Sequence, residues 1–302
     1  MKFNLVTILG PTATGKTKLA VQLADYFNGE IISADSRQVY RGMDVGTGKD
    51  LSEYNFRGKQ IPYHLIDVIN PSDEFDLYKF KQFFLVAFEK ISAKNRLPFL
   101  VGGTGMYLSS VLQNYNLKKA DFEKTQHEYS SLNDDQLRDI LKKLNPALHN
   151  TTDVKDKNRI LKAIAVSKAQ HDNLKSTEIN SYNLGINLSR DEIKTKITSR
   201  LKKRLDEEGM IDEVKSLLDS GVSYDKMIFF GLEYKFIAQY IKGELNKNDM
   251  FQKLNAAIHA FAKRQMTWFR KMEKEGVVIN WINGSDFNKA KELIELNVFK
   301  KF

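Results

Sequence analysis

The sequence contains no cysteine. This absence excludes a disulfide framework, thiolate catalysis and cysteine-ligated metal sites, and it suits a reducing cytosol. The chain also lacks an apolar run long enough to span a membrane, and its N-terminus lacks the basic region and cleavage site of a signal peptide. We therefore expect a cytoplasmic protein without a membrane partner. There is no internal repeat and no low-complexity segment.

Length and charge give a broad class only. The 302 residues include 42% apolar and 28% charged residues, as in an ordinary soluble protein of one large or two modest domains. The net charge is +9, and the excess is greatest in residues 181–302, which hold 22 basic and 17 acidic residues. A basic excess of this kind is compatible with a nucleic-acid partner.

A complete P-loop motif, G-x-x-x-x-G-K-[ST], lies near the N-terminus. Its residues are Gly10, Pro11, Thr12, Ala13, Thr14, Gly15, Lys16 and Thr17. A predicted strand at residues 3–9 precedes it, and a helical apolar pattern follows it. Backbone N–H groups of such a loop converge on an anion, Lys16 adds a positive charge, and the Thr17 hydroxyl can ligate Mg²⁺. We predict a phosphate or diphosphate site rather than an ordinary glycine turn.

Strands alternate with helices in the first part of the chain, which predicts a parallel α/β sheet. Further strands are predicted at residues 30–34 and 97–101, with a helix at 76–94 between them. Three polar clusters follow predicted strands: residues 10–17, 35–38 and 102–105. Because ligands bind at the carboxyl ends of parallel strands, we expect these clusters to meet at one edge of the sheet.

Residues 118–180 show no strand pattern and predict a small all-helical insertion domain, with helices at 135–144 and 157–168. The α/β core then comprises residues 1–117 and 181–302. After the insertion, strands are predicted at 185–188 and 277–281, and the rest is mainly helical.

Asp35 and Thr104 are the polar candidates outside the P-loop. A carboxylate at a strand end beside a phosphate loop can hold Mg²⁺ or accept a proton, although a loop or N-cap aspartate is commoner. Thr104 lies in a glycine-rich segment that serves equally well as a tight turn or as a ligand-binding loop. No second strand ends in four apolar residues and an aspartate, which counts against a nucleotide hydrolase.

Two helical segments carry basic candidates. Arg200 and Arg204 are one turn apart and could meet a diphosphate, although a solvated face is the commoner role of such residues. In a later helix, one stripe predicts core packing: Leu254, Ile258, Phe261, Gln265, Trp268 and Met272. Another side of that helix is basic and could position an RNA backbone: Lys263, Thr267, Arg270 and Lys274.

Together these motifs resemble the tRNA dimethylallyltransferases, also called tRNA isopentenyltransferases. The resemblance rests on five stretches in family order: residues 10–17, 32–49, 64–67, 100–107 and 263–270. The run Ser-Ala-Asp-Ser-Arg-Gln-Val-Tyr at 33–40 is far more specific than the P-loop. The chain departs from the family pattern at Asn158, where many members have Gln, and at Gly231-Leu232-Glu233-Tyr234, where many have Gly-Tyr-Arg-Gln.

The resemblance implies a P-loop NTPase-like core that transfers a dimethylallyl group from dimethylallyl diphosphate to the N6 amine of the adenosine immediately 3′ of the anticodon. Asp35 would match the general base, and Lys16, Thr17 and Arg200 would hold the diphosphate with Mg²⁺, Arg200 being chosen over Arg204. The helical insertion would embrace the anticodon stem-loop of the tRNA. The tRNA-binding residues would be Asp35, Ser36, Arg37, Gln38, Thr104, Asn158, Arg159, Lys263 and Arg264. We expect a monomer.

Two other functions fit parts of the sequence. A small-molecule P-loop kinase that uses ATP is compatible with the P-loop and the α/β order, but it needs lid arginines, and the insertion has only Arg138 and Arg159. A non-catalytic RNA-binding module with a relic P-loop is less compatible with the intact Lys16, Thr17 and Asp35.

Overall fold

The computed structural model describes residues 2–146, 156–169 and 177–299. Within these, six parallel strands form one sheet in the order β5-β2-β6-β1-β7-β8, and β3 and β4 form a separate small hairpin. The strands are β1 (Leu5–Leu9), β2 (Gly29–Ala34), β3 (Asn55–Phe56), β4 (Lys59–Gln60), β5 (Tyr63–His64), β6 (Leu97–Gly102), β7 (Ser181–Asn187) and β8 (Asn280–Asn283).

The α-helices vary from about two to almost eight turns. They are α1 (Lys16–Tyr26), α2 (Leu77–Ala93), α3 (Gly105–Leu112), α4 (Phe122–Glu128), α5 (Asp134–Leu144), α6 (Lys157–Lys168), α7 (Arg190–Asp206), α8 (Met210–Asp219), α9 (Tyr224–Phe230), α10 (Leu232–Ile241), α11 (Lys247–Lys274) and α12 (Phe287–Ile294). A short 3₁₀-helix spans Leu51–Tyr54, and a π-helical turn spans Glu295–Phe299. No helix in the described ranges is both long and apolar enough to cross a membrane.

The central strands are buried on both faces, as a parallel sheet covered by helices requires. Every residue of β1, β2 and β6 is buried. Two apolar clusters cover the sheet, one built on Leu5 and Leu9 and the other on Val6 and Ile8, so alternate residues of β1 serve opposite faces. The predicted α/β fold with a parallel sheet is confirmed.

One strand was predicted to begin too early in the sequence. Residues 277–281 were predicted as a strand, but β8 begins at Asn280, and Val278 is 72% exposed. The Asn280 side chain donates to the backbone O of Asn183, and Leu184 pairs with Asn280 in register. The Asn183 side chain in turn donates to the O of Val278 at 2.9 Å. A hydrogen bond from a side chain therefore holds Val278 in place of the backbone hydrogen bonds of the predicted strand.

The chain divides into two compact units, Met1–Asn114 with Glu178–Phe302 and Tyr115–Thr177. The first unit contains the six-stranded sheet. The second contains α4, which the sequence did not predict, together with α5 and α6, and its own apolar cluster is centred on Leu137, Leu141, Ile160 and Ile164. The anticodon-binding role of residues 118–180 stays a prediction.

Candidate active site

The P-loop joins β1 to α1 and is closed by its own side chains. Gly15 lies just before α1 with φ 81°, a conformation that favours glycine. The Thr14 hydroxyl donates to the O of Pro11 at 2.9 Å, and the Lys16 ammonium donates to the same oxygen at 2.7 Å. Thus one carbonyl holds the loop closed and keeps the lysine folded over it.

Lys16 is partly buried in this loop, and burial lowers the pKa of its ammonium to about 8. The Asp35 carboxylate opposes this shift, and the Arg200 guanidinium adds to it. Lys16 is therefore charged at neutral pH and close to its titration range. A bound anion would favour the charged form.

Asp35 follows β2, at the start of a tight polar turn. Its Oδ1 accepts a hydrogen bond from the N–H of Arg37 at 2.8 Å, which fixes the direction of the carboxylate. The N–H of Ser36, the residue between Asp35 and Arg37, donates to the hydroxyl of Thr104 at 3.1 Å. The loop after β2 is thereby tied to the loop after β6.

Gln265, in α11, connects the P-loop to the loop after β6. Its Oε1 accepts from the N–H of Thr12, and its Nε2 donates to the O of Gly103, both at 2.9 Å. The side chain is buried. One amide group therefore fixes the spacing between the two loops, and the N–H of Thr12 is used for this contact rather than left free for an anion.

Two arginines of α7 converge on the glycine-rich segment that follows β2, residues 42–50. Arg200 donates from Nη2 to Asp50 Oδ2 at 2.7 Å, and Arg204 Nη2 lies 3.7 Å from the same oxygen. Gly48 has φ +66°, and a β-carbon there would overlap both guanidinium groups. Only a glycine leaves room for this pair of arginines.

The same segment is held by a carboxylate and by a buried ammonium. Glu213 accepts from the N–H groups of Asp44, Val45 and Gly46, at 2.7, 2.6 and 3.0 Å, and from the Tyr234 hydroxyl at 2.7 Å. On the other side, buried Lys49 contacts the carboxylates of Asp44 and Asp67 and the O of Tyr40. The segment is thus rigidly placed although it lacks regular structure.

Two cavities meet at Asp35. The P-loop cavity has a volume of about 410 Å³ and is lined by residues 12–17 together with Asp35, Gln38, Asp50 and Arg200. The second cavity, of about 190 Å³, is lined by Asp35, Ser36, Arg37, Thr104 and Arg204, with apolar walls from Phe230, Leu232, Ile258 and Phe261. Asp35 lines both, so its carboxylate can reach groups bound on either side.

The structure brings most of the predicted site residues together, as the meeting of the three strand-end clusters requires. Lining the two cavities are Thr12, Ala13, Thr14, Gly15, Lys16, Thr17, Asp35, Ser36, Arg37, Gln38, Thr104 and Arg200. Gly10 and Pro11 begin the loop without lining either cavity. Lys263 and Arg264 are exposed on α11 and line neither cavity. Asn158 and Arg159 lie in the second unit, where Arg159 pairs with the N-cap Asp156.

Three residues of the predicted core stripe line the cavities: Ile258, Phe261 and Gln265. Phe261 is 38% exposed and lines both cavities, whereas Leu254 and Met272 of the same stripe are fully buried. Gln265 was also assigned to core packing, and its bonding role was missed. An amide within an otherwise apolar stripe was the available signal, because a buried polar group needs partners.

The oxygen donors of the P-loop cavity fit a magnesium ion. Mg²⁺ typically takes one or two protein ligands and completes its shell with phosphate oxygens and water. The Thr17 hydroxyl and the Asp35 carboxylate face the same cavity, while Asp50 is paired with Arg200. Among the described residues there is no cluster of three or more acidic or histidine side chains, so a diphosphate would have to supply the remaining ligands.

Comparisons with known proteins agree with this geometry. The model of the family described as IPP transferase matches residues 38–272, and that of isopentenyl transferase matches residues 3–63. The tRNA dimethylallyltransferase 1 of Geotalea uraniireducens is 49% identical over 309 residues, with 100% of each chain covered. The tRNA dimethylallyltransferase 2 of Trichlorobacter lovleyi is 49% identical over 287 residues, covering 93% of this chain and 92% of that protein.

A solved structure shares the whole fold. The full-length tRNA isopentenylpyrophosphate transferase from Bacillus halodurans superimposes with a TM-score of 0.70 at 34% identity, covering 98% of this chain and 95% of that one. The match covers almost the whole of both chains rather than a single motif. By sequence over its full length and by fold, the chain belongs to the IPP transferase family, the family of the tRNA dimethylallyltransferases.

Proposed function

We propose that this protein transfers the dimethylallyl group of dimethylallyl diphosphate to the N6 amine of the adenosine immediately 3′ of the anticodon in tRNA. The observation that carries the proposal is the position of Asp35, which lines both the P-loop cavity and the second cavity. A phosphate-binding loop on one side of a carboxylate and a second cavity on the other is the arrangement that a two-substrate transfer needs.

The diphosphate of the donor would occupy the P-loop cavity. Loop N–H groups, the Lys16 ammonium and the Arg200 guanidinium would neutralise charge as it develops on the leaving group. Thr17 and the diphosphate would hold Mg²⁺, which when bound would supply further neutralisation of that charge. Arg200 rather than Arg204 serves here because Arg200 lines the P-loop cavity and Arg204 does not.

The acceptor adenine would occupy the second cavity with its amine toward Asp35. The donor's allylic C–O bond breaks with its electron pair leaving on the diphosphate, and a C–N bond forms to N6. Asp35 takes the proton that the amine loses, which is general-base catalysis. To reach the cavity, the base must leave its stack, as enzymes that modify a base generally require.

The remaining contacts to tRNA would come from Ser36, Arg37, Gln38 and Thr104 at the cavity, from Lys263 and Arg264 on the exposed face of α11, and from Asn158 and Arg159 in the helical insertion. The exposed cations suit an RNA backbone. We propose that the protein acts in the cytoplasm as a monomer. The kinase alternative is not favoured, because the relatives matched over the full chain are named for tRNA prenylation.

The decisive experiment is incubation of the purified protein with dimethylallyl diphosphate, Mg²⁺ and an unmodified anticodon stem-loop carrying adenosine at the target position. Mass spectrometry of the RNA should show a gain of one dimethylallyl group on that adenosine, and replacing the adenosine should abolish it. An unchanged RNA together with phosphate transfer from ATP to a small molecule would support the kinase instead.

Donor affinity should depend on pH through Lys16. In the protein without a bound donor, the pKa of Lys16 is about 8. Because the diphosphate binds the charged form of the lysine, the affinity for the donor should be constant near pH 7 and weaken above pH 8. Once the lysine is neutral, binding should fall about tenfold for each further pH unit. Calorimetric titration with inorganic pyrophosphate and Mg²⁺ would measure this. In Lys16→Arg the dependence should disappear, because arginine stays charged. A slope that persists in Lys16→Arg would refute the assignment.

Gln265 should affect the kinetics with both substrates, because it fixes the spacing between the P-loop and the loop after β6. Gln265→Met has a similar size but makes neither hydrogen bond, and we expect kcat/KM to fall about tenfold, the equivalent of one or two modest hydrogen bonds. Gln265→Glu can still accept from Thr12 but places a carboxylate at the O of Gly103, so it should be no better. Steady-state kinetics with each substrate varied in turn would test this, with the exposed neighbour Lys263→Met as control for donor kinetics. Wild-type rates in both Gln265 variants would contradict it.

A further inference from the structure

Phe261 lies at the boundary between the two cavities. Along one face of α11, Ile258 lines the second cavity, Phe261 lines both cavities, and Gln265 lines the P-loop cavity. Residues three and four positions apart share a helix face, so this face of α11 passes from one cavity to the other within about two turns. Ile258 and Gln265 are buried, whereas Phe261 is exposed. The aromatic ring is therefore the side chain that α11 presents where the cavities meet.

The boundary is polar apart from this ring. Among the described residues, those that line both cavities are Thr12, Asp35, Thr47, Arg200 and Phe261. The first four carry a hydroxyl, a carboxylate or a guanidinium, and Phe261 alone of this set has an apolar side chain. An apolar part of a ligand that extends from one cavity into the other would pack against Phe261.

The dimethylallyl group is such a part, because the diphosphate would occupy one cavity and the adenine the other. As the allylic C–O bond breaks, its electron pair leaves on the diphosphate, and positive charge develops on the allyl carbons before the C–N bond to N6 is complete. Lys16 and Arg200 would stabilise the leaving diphosphate but repel this positive charge. The face of an aromatic ring attracts a cation, most strongly where water is excluded.

We propose that the Phe261 ring stabilises the positive charge on the dimethylallyl group in the transition state, which makes Phe261 a further catalytic residue. The inference rests on the proposed function. Phe261 forms and breaks no bond: the lone pair of N6 makes the new C–N bond, Asp35 takes the proton that the amine loses, and the diphosphate carries away the electron pair of the C–O bond. Because the ring acts only on charge, its contribution should follow the electron density of its face.

The test replaces Phe261 in the full-length protein with phenylalanines that carry one, two or three ring fluorines. Fluorine withdraws electron density from the ring face with little change in ring size. The single-turnover rate with dimethylallyl diphosphate, Mg²⁺ and the adenosine stem-loop should fall with each fluorine. The trifluorinated protein should be about 10- to 30-fold slower than wild type, the loss expected for a desolvated cation–π contact.

Phe261→Leu provides a second measurement, since leucine keeps an apolar wall but has no aromatic face. We expect it to be no faster than the trifluorinated protein. In all of these proteins the KM for the donor should stay within about twofold of wild type, because the contact is made in the transition state.

Two controls separate this effect from its alternatives. Phe251 lies on the same helix, packs against the apolar core and lines neither cavity, so its fluorination should leave the rate unchanged. The guanidinium carbon of Arg264 lies 5.9 Å from the centroid of the Phe261 ring, within the range of a cation–π contact. In an Arg264→Met background, the rate should still fall with each fluorine on Phe261 and by the same factor.

A rate that does not change with the number of fluorines on Phe261 would overturn the inference, and so would an equal loss on fluorination of Phe251. Disappearance of the fluorine dependence in Arg264→Met would also overturn it, since the ring would then act through Arg264. A wild-type protein that leaves the adenosine RNA unmodified would instead overturn the proposed function, so the two failures are distinct.

Discussion

Asp35→Asn should reduce kcat about a thousandfold, within the 10²–10⁴ range of general-base catalysis, while leaving donor binding nearly intact. The asparagine can keep the bond from the N–H of Arg37 through its Oδ1, so the turn after β2 should hold. What is lost is the ability to take a proton from a weakly nucleophilic amine. Single-turnover reactions, with the modified nucleoside quantified by mass spectrometry, would measure this.

The control for Asp35→Asn is binding of inorganic pyrophosphate with Mg²⁺, which should change by less than the rate does. Asp35→Glu should recover part of the activity, since it restores a carboxylate at a displaced position. A rate for Asp35→Asn within tenfold of wild type would show that the proton goes elsewhere.

Glu213→Ala should destabilise the first unit by about 3 kcal/mol. The carboxylate accepts from three backbone N–H groups and one hydroxyl, and hydrogen bonds to charged groups contribute about 1.5–3 kcal/mol each. We expect less than the full sum because Glu213 is partly exposed and water can replace some partners. For a unit of this size the midpoint of thermal unfolding should fall by roughly 6–12 °C.

Asp212→Ala is the matched control for Glu213→Ala, since Asp212 is the exposed neighbour on α8 and forms a long ion pair of 3.7 Å with Lys215. Calorimetry of both variants would give the comparison. Donor affinity should also weaken in Glu213→Ala, because the segment that Glu213 holds contains Gly48, on which Arg200 rests. Equal midpoints of thermal unfolding for the two variants would disprove the stabilising role of the hydrogen bonds that Glu213 accepts.

The sequence was informative wherever the determinant is local. The P-loop, the buried strands and the helix that begins after the N-cap Asp76 each depend on residues within a few positions of one another. The meeting of the polar clusters also followed, because parallel strands place their carboxyl ends on one edge. The helical character of α5 and α6 was recovered for the same local reason.

The contacts that complete the site were not predictable in this way. Gln265 reaches a P-loop residue 253 positions away, and Glu213 reaches Asp44 across 169 positions. No periodicity encodes such pairs. Phe261 was misassigned because a helical stripe predicts one apolar face without saying where the neighbouring helix stops and a cavity begins.

The place of the insertion determines when the sheet can close during synthesis. β1 lies between β6 and β7, and β7 is made only after the whole helical insertion. The 78 residues between Gly102 and Ser181 take roughly 4–16 s to translate at about 5–20 residues per second. During that time one edge of β1, a mostly apolar central strand, has no partner, and such edges invite pairing with other chains. A nascent chain arrested within the insertion should therefore depend on chaperones more strongly than one arrested after β7.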